Sequence, residues 1–255
     1  GLVFSICAHV LACVVPVWQH GSEAQKARYL GGLCDGTLIG AHAITEADSG
    51  SDSFAMRLRA EHSGGGWRLN GSKTFISNGP VADVVVVFAV TDADKGFHGG
   101  VTAFLVDRGV AGFSAGQKFA KMGLRTSPVG ELVFEDAMLP DEAVLGTVGG
   151  GASVFGTAMD WERSLLVAAH VGTIERLLET SIAYARTRSQ FGQAIGKFQA
   201  VAHKIADMKV HLEAARLLVY RTASRLTVSR SISLDAAVTK LFVSESLVRT
   251  ALDAV

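Results

Sequence analysis

The sequence carries no net charge: its 24 Lys and Arg residues are matched by 24 Asp and Glu. That balance argues against a nucleic-acid partner or a polybasic membrane-surface partner, since both need an excess of basic side chains. Cysteine is scarce. Cys7, Cys13 and Cys34 lie near the start, odd in number and without metal-ligand spacing, so they read as buried thiols of a reducing cytoplasm and no metal site is expected. No uninterrupted apolar run reaches the roughly 20 residues that a membrane span needs. Residues 2–17 come nearest, but His9 and Pro16 interrupt them, and a buried helix is expected there. A basic n-region and an initiator Met are both missing, so a signal peptide is not expected. The start at Gly1, and the end at Val255 inside an apolar periodic stretch, read as those of a fragment. Internal repeats and low-complexity tracts are absent.

What remains is an ordinary globular composition, 49% hydrophobic and 19% charged over 255 residues, enough for one large domain or two smaller ones. Three textures follow one another. Residues 1–36 read as helical, with Ser22 the expected N-cap of a helix to Leu33 that packs through Ala24, Ala27, Tyr29 and Leu30. Residues 37–146 carry short β-rich runs at 38–45, 67–70, 73–77, 83–90, 101–107 and 131–134. Gly-rich or Asn-Gly turns separate them, and Asn70-Gly71 is expected to close a hairpin. No helical pattern of ten or more residues intervenes, so an antiparallel sheet or small barrel is expected rather than a parallel βαβ sheet. Residues 147–255 return to helical periodicity over 153–188, 198–225 and 235–255, the last with Val238, Leu241, Phe242, Leu247, Val248 and Ala251 as its packing face. Three such helices predict an up-and-down bundle. The fold class expected is α+β: helical, then β, then helical.

Four motifs could carry chemistry, each beside a plainer reading. The loop Thr45–Asp52 offers backbone N–H groups and short hydroxyls to an anion or a heteroaromatic ring, or is simply a polar turn. The strand after Trp67 would place Phe75 and Ser77 on one face, against a flat cofactor, or would bury Phe75 in the core. Arg188, near two glycines at a helix end, can reach a phosphate, or is a basic last turn with its glycine stop. Glu162, among Phe155, Met159, Leu165 and Leu166, is either a desolvated base or half of a buried ion pair with Arg163.

Taken in order, the Thr45–Asp52 loop, Gly66–Asn78, Lys121-Met122-Gly123-Leu124-Arg125, Glu162-Arg163, the Arg188–Gly192 segment with Gln199, and Ala236-Ala237 with Lys240-Leu241 resemble acyl-CoA dehydrogenases along essentially the whole chain. The resemblance implies a helical N-terminal domain, a central β-domain that binds flavin and acyl-CoA, and a C-terminal helical bundle. It also implies FAD, an acyl-CoA or acyl-carrier thioester as substrate, and a homotetramer or homodimer in the cytoplasm (the mitochondrial matrix in a eukaryote). An electron-transfer flavoprotein is the implied acceptor, and fatty acid metabolism the setting.

Residue by residue, His42, Ala43, Ile44, Thr45 and Ser51 resemble the flavin loop, and Phe75, Ile76 and Ser77 the strand against the ring. Arg188 and Gln199 resemble the pair that holds FAD from a neighbouring subunit. Ser51, Asp160, Trp161 and Arg163 resemble residues that border the acyl-CoA. Glu162 matches the base of the isovaleryl and long-chain subgroups; many other members keep theirs near a C-terminus that would lie beyond Val255. The implied reaction removes the α-proton to a carboxylate and the β-hydrogen as hydride to the flavin, with the thioester carbonyl hydrogen-bonded. The family's late Gln-X-X-Gly-Gly flavin segment is not in the sequence. An acyl-CoA oxidase, a flavin monooxygenase, or a flavin-free remnant serving as a binding module are the alternatives.

Overall fold

The apolar opening segment folds as a helix in three parts: α1 (Leu2–His9), a π-helical stretch over Val10–Val14, and α2 (Val15–His20). The structure is a computed structural model that describes residues 1–226, 228–229 and 232–255. It divides into two units, residues 1–162 and 163–255. The opening helix runs through His9 and Pro16 to His20 and is, by length and composition, apolar enough to cross a membrane, with a mean hydropathy of 1.9. The expectation that those two residues interrupt it is therefore corrected. Its Leu11, Cys13, Val15 and Val17 are buried, as in the core helix of a globular protein.

Helix α3 (Glu23–Asp35) starts at Ser22 as expected. The Ser22 hydroxyl accepts from Gln25 N–H at 3.2 Å, and the Gln25 side chain accepts from Ser22 N–H at 2.9 Å, a reciprocal capping box. Its inward face is Gln25, Tyr29 and Leu33, whereas Ala24 and Ala27, expected to pack, are exposed.

The β-region is one eight-stranded sheet. Its strands are β1 (Gly40–Ala43), β2 (Arg59–His62), β3 (Gly66–Ser77), β4 (Val84–Val90), then after the short turn α4 (Phe97–Gly100) β5 (Val101–Asp107), β6 (Phe113–Lys118), β7 (Val129–Pro140) and β8 (Val144–Leu145). Pairing runs β6-β7-β3-β2-β4-β5-β8, with β1 added to β4. It is antiparallel except where β1 and β2 meet β4 in parallel. No helix of ten residues interrupts β1 to β8 among the described residues.

Strand β4 shows why its run is apolar throughout. Side chains alternate across a sheet, so Val85, Val87 and Ala89 enter one core with Ala41, Ala43, Leu69, Ile76 and Phe134. Val84, Val86 and Phe88 enter a second core with Cys13, Val17, Tyr29, Leu33 and Val154. Both faces of β4 are covered, so neither can be polar.

The Asn70-Gly71 hairpin does not form. β3 continues through it with a bulge between Leu69 and Gly71, and the turn lies instead at Ser63–Gly65, between β2 and β3. Asn70 is committed across the sheet: its Nδ2 donates to Asp136 Oδ1 at 3.0 Å, and its Oδ1 accepts from Asp136 N–H at 2.9 Å. A type I′ turn needs positive φ at both central residues, and only Gly71 has it, at 135°. Pairing with β7 overrides the local turn signal.

The helix that opens the bundle region is α5 (Gly151–Leu165), and the line between the units falls within it, after Glu162. The second unit contains α6 (Ala168–Thr187), the two-stranded hairpin β9 (Ser189–Gln190) and β10 (Gln193–Ala194), α7 (Gln199–Leu226) and α8 (Ser233–Asp253). The expected helix over 153–188 is thus two helices, parted at Leu166–Val167. Helices α6, α7 and α8 share one core of Val171, Ile174, Leu178, Met208, Leu212, Ala215, Val219 and Val243. The stripe expected to pack on α8 is only partly right. Ala236, Thr239, Val243, Ser246 and Thr250 face inward, with Phe242 and Leu247 half-buried, while Val238, Leu241, Val248 and Ala251 are exposed. The inward stripe is one of small, largely hydroxyl-bearing side chains, and the more apolar stripe is left outside.

Gly40, at the start of β1, sits where the opening helix comes closest. A Cβ there would stand 2.5 Å from Cys13 Sγ. Gly40→Ala should therefore lower the unfolding free energy by about 1–3 kcal/mol through overpacking, read from the urea midpoint. An unchanged midpoint would mean that the helix is free to move away.

Candidate functional site

The loop that follows β1 is fixed from beneath by a buried charge pair. Lys73 has no solvent exposure, and its Nζ donates to Glu46 Oε1 at 2.7 Å and to the Ile44 carbonyl at 3.0 Å. The Glu46 carboxylate also accepts the backbone N–H groups of Arg57 (2.6 Å) and Leu58 (3.0 Å). Glu46 and Ser49 exchange backbone hydrogen bonds of 2.9 and 3.2 Å, which closes the loop. Both charges are thus paired and hydrogen-bonded, the condition under which ions survive burial. Burial still lowers the Lys73 pKa to about 8, against the opposing pull of Glu46. Sequence reasoning missed this pair. The signal was a lysine on the apolar side of β3, which needs an anion beside it.

Next to Lys73 the strand buckles. The β3–β7 register shifts between Lys73 and Ile76, and Phe75 adopts a φ of 56°. That is a left-handed conformation bulky side chains rarely hold. Phe75 is 65% exposed, leaning on Phe119 with ring centroids 5.2 Å apart. Ile76 turns into the sheet core, and Ser77 is half-buried. Simple alternation, expected to align Phe75 and Ser77, is broken by the bulge, and burial of Phe75 in the core is contradicted. Thr74 N–H donates to the Thr45 carbonyl at 2.9 Å, so loop and bulge meet at Thr45.

The remaining residues of this region divide by side. Ala43 is fully buried on the same side as Ile76, so each has only its backbone to offer a ligand. Ile44 packs on the helical side; Thr45 is half-buried and Ser51 exposed. His42 pairs in register with Val86 and turns the same way, its ring 5.0 Å from Phe88 and 6.5 Å from Phe155. Its Nε2 is shielded from solvent without a hydrogen-bond partner. Burial first, then the Lys73 charge, lower its pKa to about 4. His9, by contrast, is fully engaged. Its Nδ1 accepts from Gly40 N–H and its Nε2 donates to the Leu33 carbonyl, both at 2.8 Å.

On α5, Asp160, Trp161 and Glu162 are half-buried and Arg163 is exposed. Trp161 meets Trp18 edge-on at 6.2 Å. The Cys7 thiol on α1 is pushed up by burial and secondarily by the Glu162 charge. Phe155, Met159 and Glu162 are spaced four and three apart and share one face of α5. In the second unit, Arg188 caps the end of α6: its N–H donates to the Tyr184 carbonyl and its carbonyl accepts from Ile195 N–H. Arg188 and Gln199 are both exposed, at either end of the β9–β10 connection. Among the described residues no cluster could hold a metal ion.

Comparison with known proteins places the chain in a class. The acyl-CoA dehydrogenase middle-domain model matches residues 41–137, and the C-terminal-domain model matches residues 149–255. The chain belongs to the acyl-CoA dehydrogenase family. It is 44% identical over its whole length to an L-prolyl-[peptidyl-carrier protein] dehydrogenase of Serratia sp. (strain ATCC 39006), covering 66% of that protein. It is 40% identical over its whole length to a short-chain-specific acyl-CoA dehydrogenase of Megasphaera elsdenii, covering 67%. It also superimposes on the FAD complex of PigA with a TM-score of 0.95 at 44% identity, over 98% of this chain and 65% of that one. The chain thus spans about two thirds of the length of the relatives it matches.

His42 gives this site a signature in acid. Its pKa is lower folded, about 4, than the ordinary value of 6.5 held in the unfolded chain, so between these values the unfolded chain binds more protons and stability falls as pH drops. With about 1.4 kcal/mol per pKa unit, reduced for partial exposure, the loss is about 2 kcal/mol. His42→Phe should flatten the decline of the thermal midpoint between pH 6.5 and 4. Parallel declines in both proteins would show that His42 is not held neutral.

Proposed function

We propose that the chain forms the flavin and thioester sites of an FAD-dependent enzyme that removes two hydrogens from the α and β carbons of an acyl thioester. The observation that carries this reading is the β3 bulge, which holds an exposed aromatic, Phe75, beside the latched Thr45–Asp52 loop. Strained backbone of this kind clusters at ligand-binding sites. FAD fits these residues. Phe75 offers a flat apolar face, the Ser77 and Thr45 hydroxyls and the backbone of 43–45 and 76 offer edge contacts, and Ser51 lies at the exposed end of the loop. Arg188 and Gln199 supply a cation and an amide for the cofactor of a neighbouring copy.

When bound, FAD supplies the hydride acceptor. Glu162 takes the α-proton on its carboxylate, on a half-buried face shared with Phe155 and Met159 where proton transfer is favoured over solvation. Asp160, Trp161, Arg163 and Ser51 border the substrate. Relatives named for CoA and for carrier-protein substrates match at similar identity, so the proposed substrate is an acyl thioester of either carrier. An electron-transfer flavoprotein is the proposed acceptor. The exposed apolar stripe of α8, with Leu241, Val248 and Leu252, supports assembly with further copies of the chain. The free cysteines support a cytoplasmic setting, or a mitochondrial matrix in a eukaryote. Acyl-chain metabolism is the proposed context.

Glu162→Gln in the holoprotein should leave the flavin spectrum in place and lower thioester dehydrogenation at least about 100-fold. Near-full turnover with flavin bound would move the base elsewhere. A colourless wild-type protein would overturn the flavin reading itself, and hydrogen peroxide formation in place of acceptor reduction would mark an oxidase.

A further inference from the structure

The Lys73–Glu46 pair is neutral as a whole, yet its two charges touch different groups. The carboxylate accepts the N–H groups of Arg57 and Leu58. The ammonium, besides its counter-ion, donates to the Ile44 carbonyl at 3.0 Å and lies 3.9 Å from Met56 Sδ. The Ile44 carbonyl and the Thr45 N–H belong to one peptide unit. That peptide is trans, so its C=O and N–H point in opposite directions. With the carbonyl turned to the buried ammonium, the Thr45 N–H points away from the pair. It has no hydrogen-bond partner among the described residues. The next carbonyl along, that of Thr45, accepts from Thr74 N–H at 2.9 Å. Two consecutive residues of β3 therefore grip the chain on both sides of this one N–H and leave the N–H itself open.

Holding a carbonyl does not require a cation. A neutral donor would do so without burying a charge and its counter-ion, which is costly. A cation adds polarisation. Hydrogen bonds in series strengthen one another, and a carbonyl that accepts from an ammonium draws electron density from its own amide nitrogen. The Thr45 N–H is thereby a stronger donor than an ordinary backbone amide.

Resting on the function proposed above, in which the backbone of 43–45 meets the edge of the flavin, we infer that Lys73 is a positioning residue that tunes the cofactor: through the Ile44–Thr45 peptide it aims and polarises the Thr45 N–H, and so favours reduced flavin over oxidised. Reduction adds electron density to the nitrogen and carbonyl edge of the ring. A donor fixed in advance where charge develops stabilises the charged form more. Lys73 does this from within the core, without touching cofactor or substrate.

The test is the midpoint potential of the bound flavin, measured in the holoprotein against a redox dye. Lys73→Met combined with Glu46→Gln removes both charges and leaves the net charge of the chain as it was. The potential should fall by about 15–30 mV, equivalent to a roughly three- to tenfold change in the ratio of affinities for reduced and oxidised flavin. Lys73→Gln with Glu46→Gln, which keeps an uncharged donor, should shift it in the same direction and serves where the first variant does not fold. A role confined to holding the loop would weaken both forms of the flavin alike, so an unchanged potential with flavin bound overturns the inference. A second measurement needs no variant. Amide hydrogen exchange at Thr45 in the wild-type protein should slow at least about tenfold when FAD is added to the flavin-stripped form. Equal exchange in the two forms overturns the inference, since the polarised N–H would then meet no acceptor on the cofactor. A wild-type protein that takes up no flavin overturns the underlying reading and this inference with it.

Discussion

The Lys73–Glu46 pair is the constraint on which the rest of the site depends. It joins β3 to the loop after β1 from within the core, and it spends both charges on backbone groups of the elements it joins: Ile44, Arg57 and Leu58. With the ammonium fixed, β3 cannot slide past the loop. The strand must still rejoin its pairing with β7 at Ile76, and Thr74 and Phe75 are caught between. The exposed ring and its left-handed backbone are thus consequences of two anchors set at a spacing that simple pleating does not fit. The same charge helps keep His42 neutral. One buried pair therefore shapes both the flat face offered to a cofactor and the polarity of the ring behind it.

The opening helix supplies the other boundary. His9 spends both ring nitrogens on backbone groups of its neighbours. Asn78, at the end of β3, donates to the Ser5 carbonyl at 2.9 Å and to the Gly40 carbonyl at 3.4 Å. The apolar helix is held to the sheet by polar contacts at defined points as well as by the core beneath it. That explains why an isolated reading of its hydropathy is misleading. Its apolar residues match a second sheet face that is apolar for the same reason.

Much of this was legible in the residues. The apolar runs at 84–90 and 101–106 mark β4 and β5 nearly to the residue, because burial on both faces leaves no freedom. Ser22 marks a helix start because its partner Gln25 lies three residues on. The loop and strand motifs identified the right region. What could not be read were features decided across the sheet or within a helix of two apolar faces. Asn70-Gly71 carries a genuine turn signal that Asp136, distant in sequence, overrides. Phe75 and Ser77 obey a two-residue period until the bulge breaks it. On α8, residues 238, 241 and 248 are more apolar than the small Ala, Thr and Ser stripe that faces inward, so hydrophobicity alone selects the wrong face. Lys73 and Glu46 lie 27 residues apart, and nothing local pairs them.

The direct test of the account is a double-mutant cycle on that pair, with unfolding free energies measured for Lys73→Met, Glu46→Gln and the double variant. Each single change strands a buried polar group and should cost about 3–5 kcal/mol, while the double variant should lose at least about 2 kcal/mol less than the sum of the two. Strictly additive losses would contradict the account, since Lys73 and Glu46 would then not act as one latch.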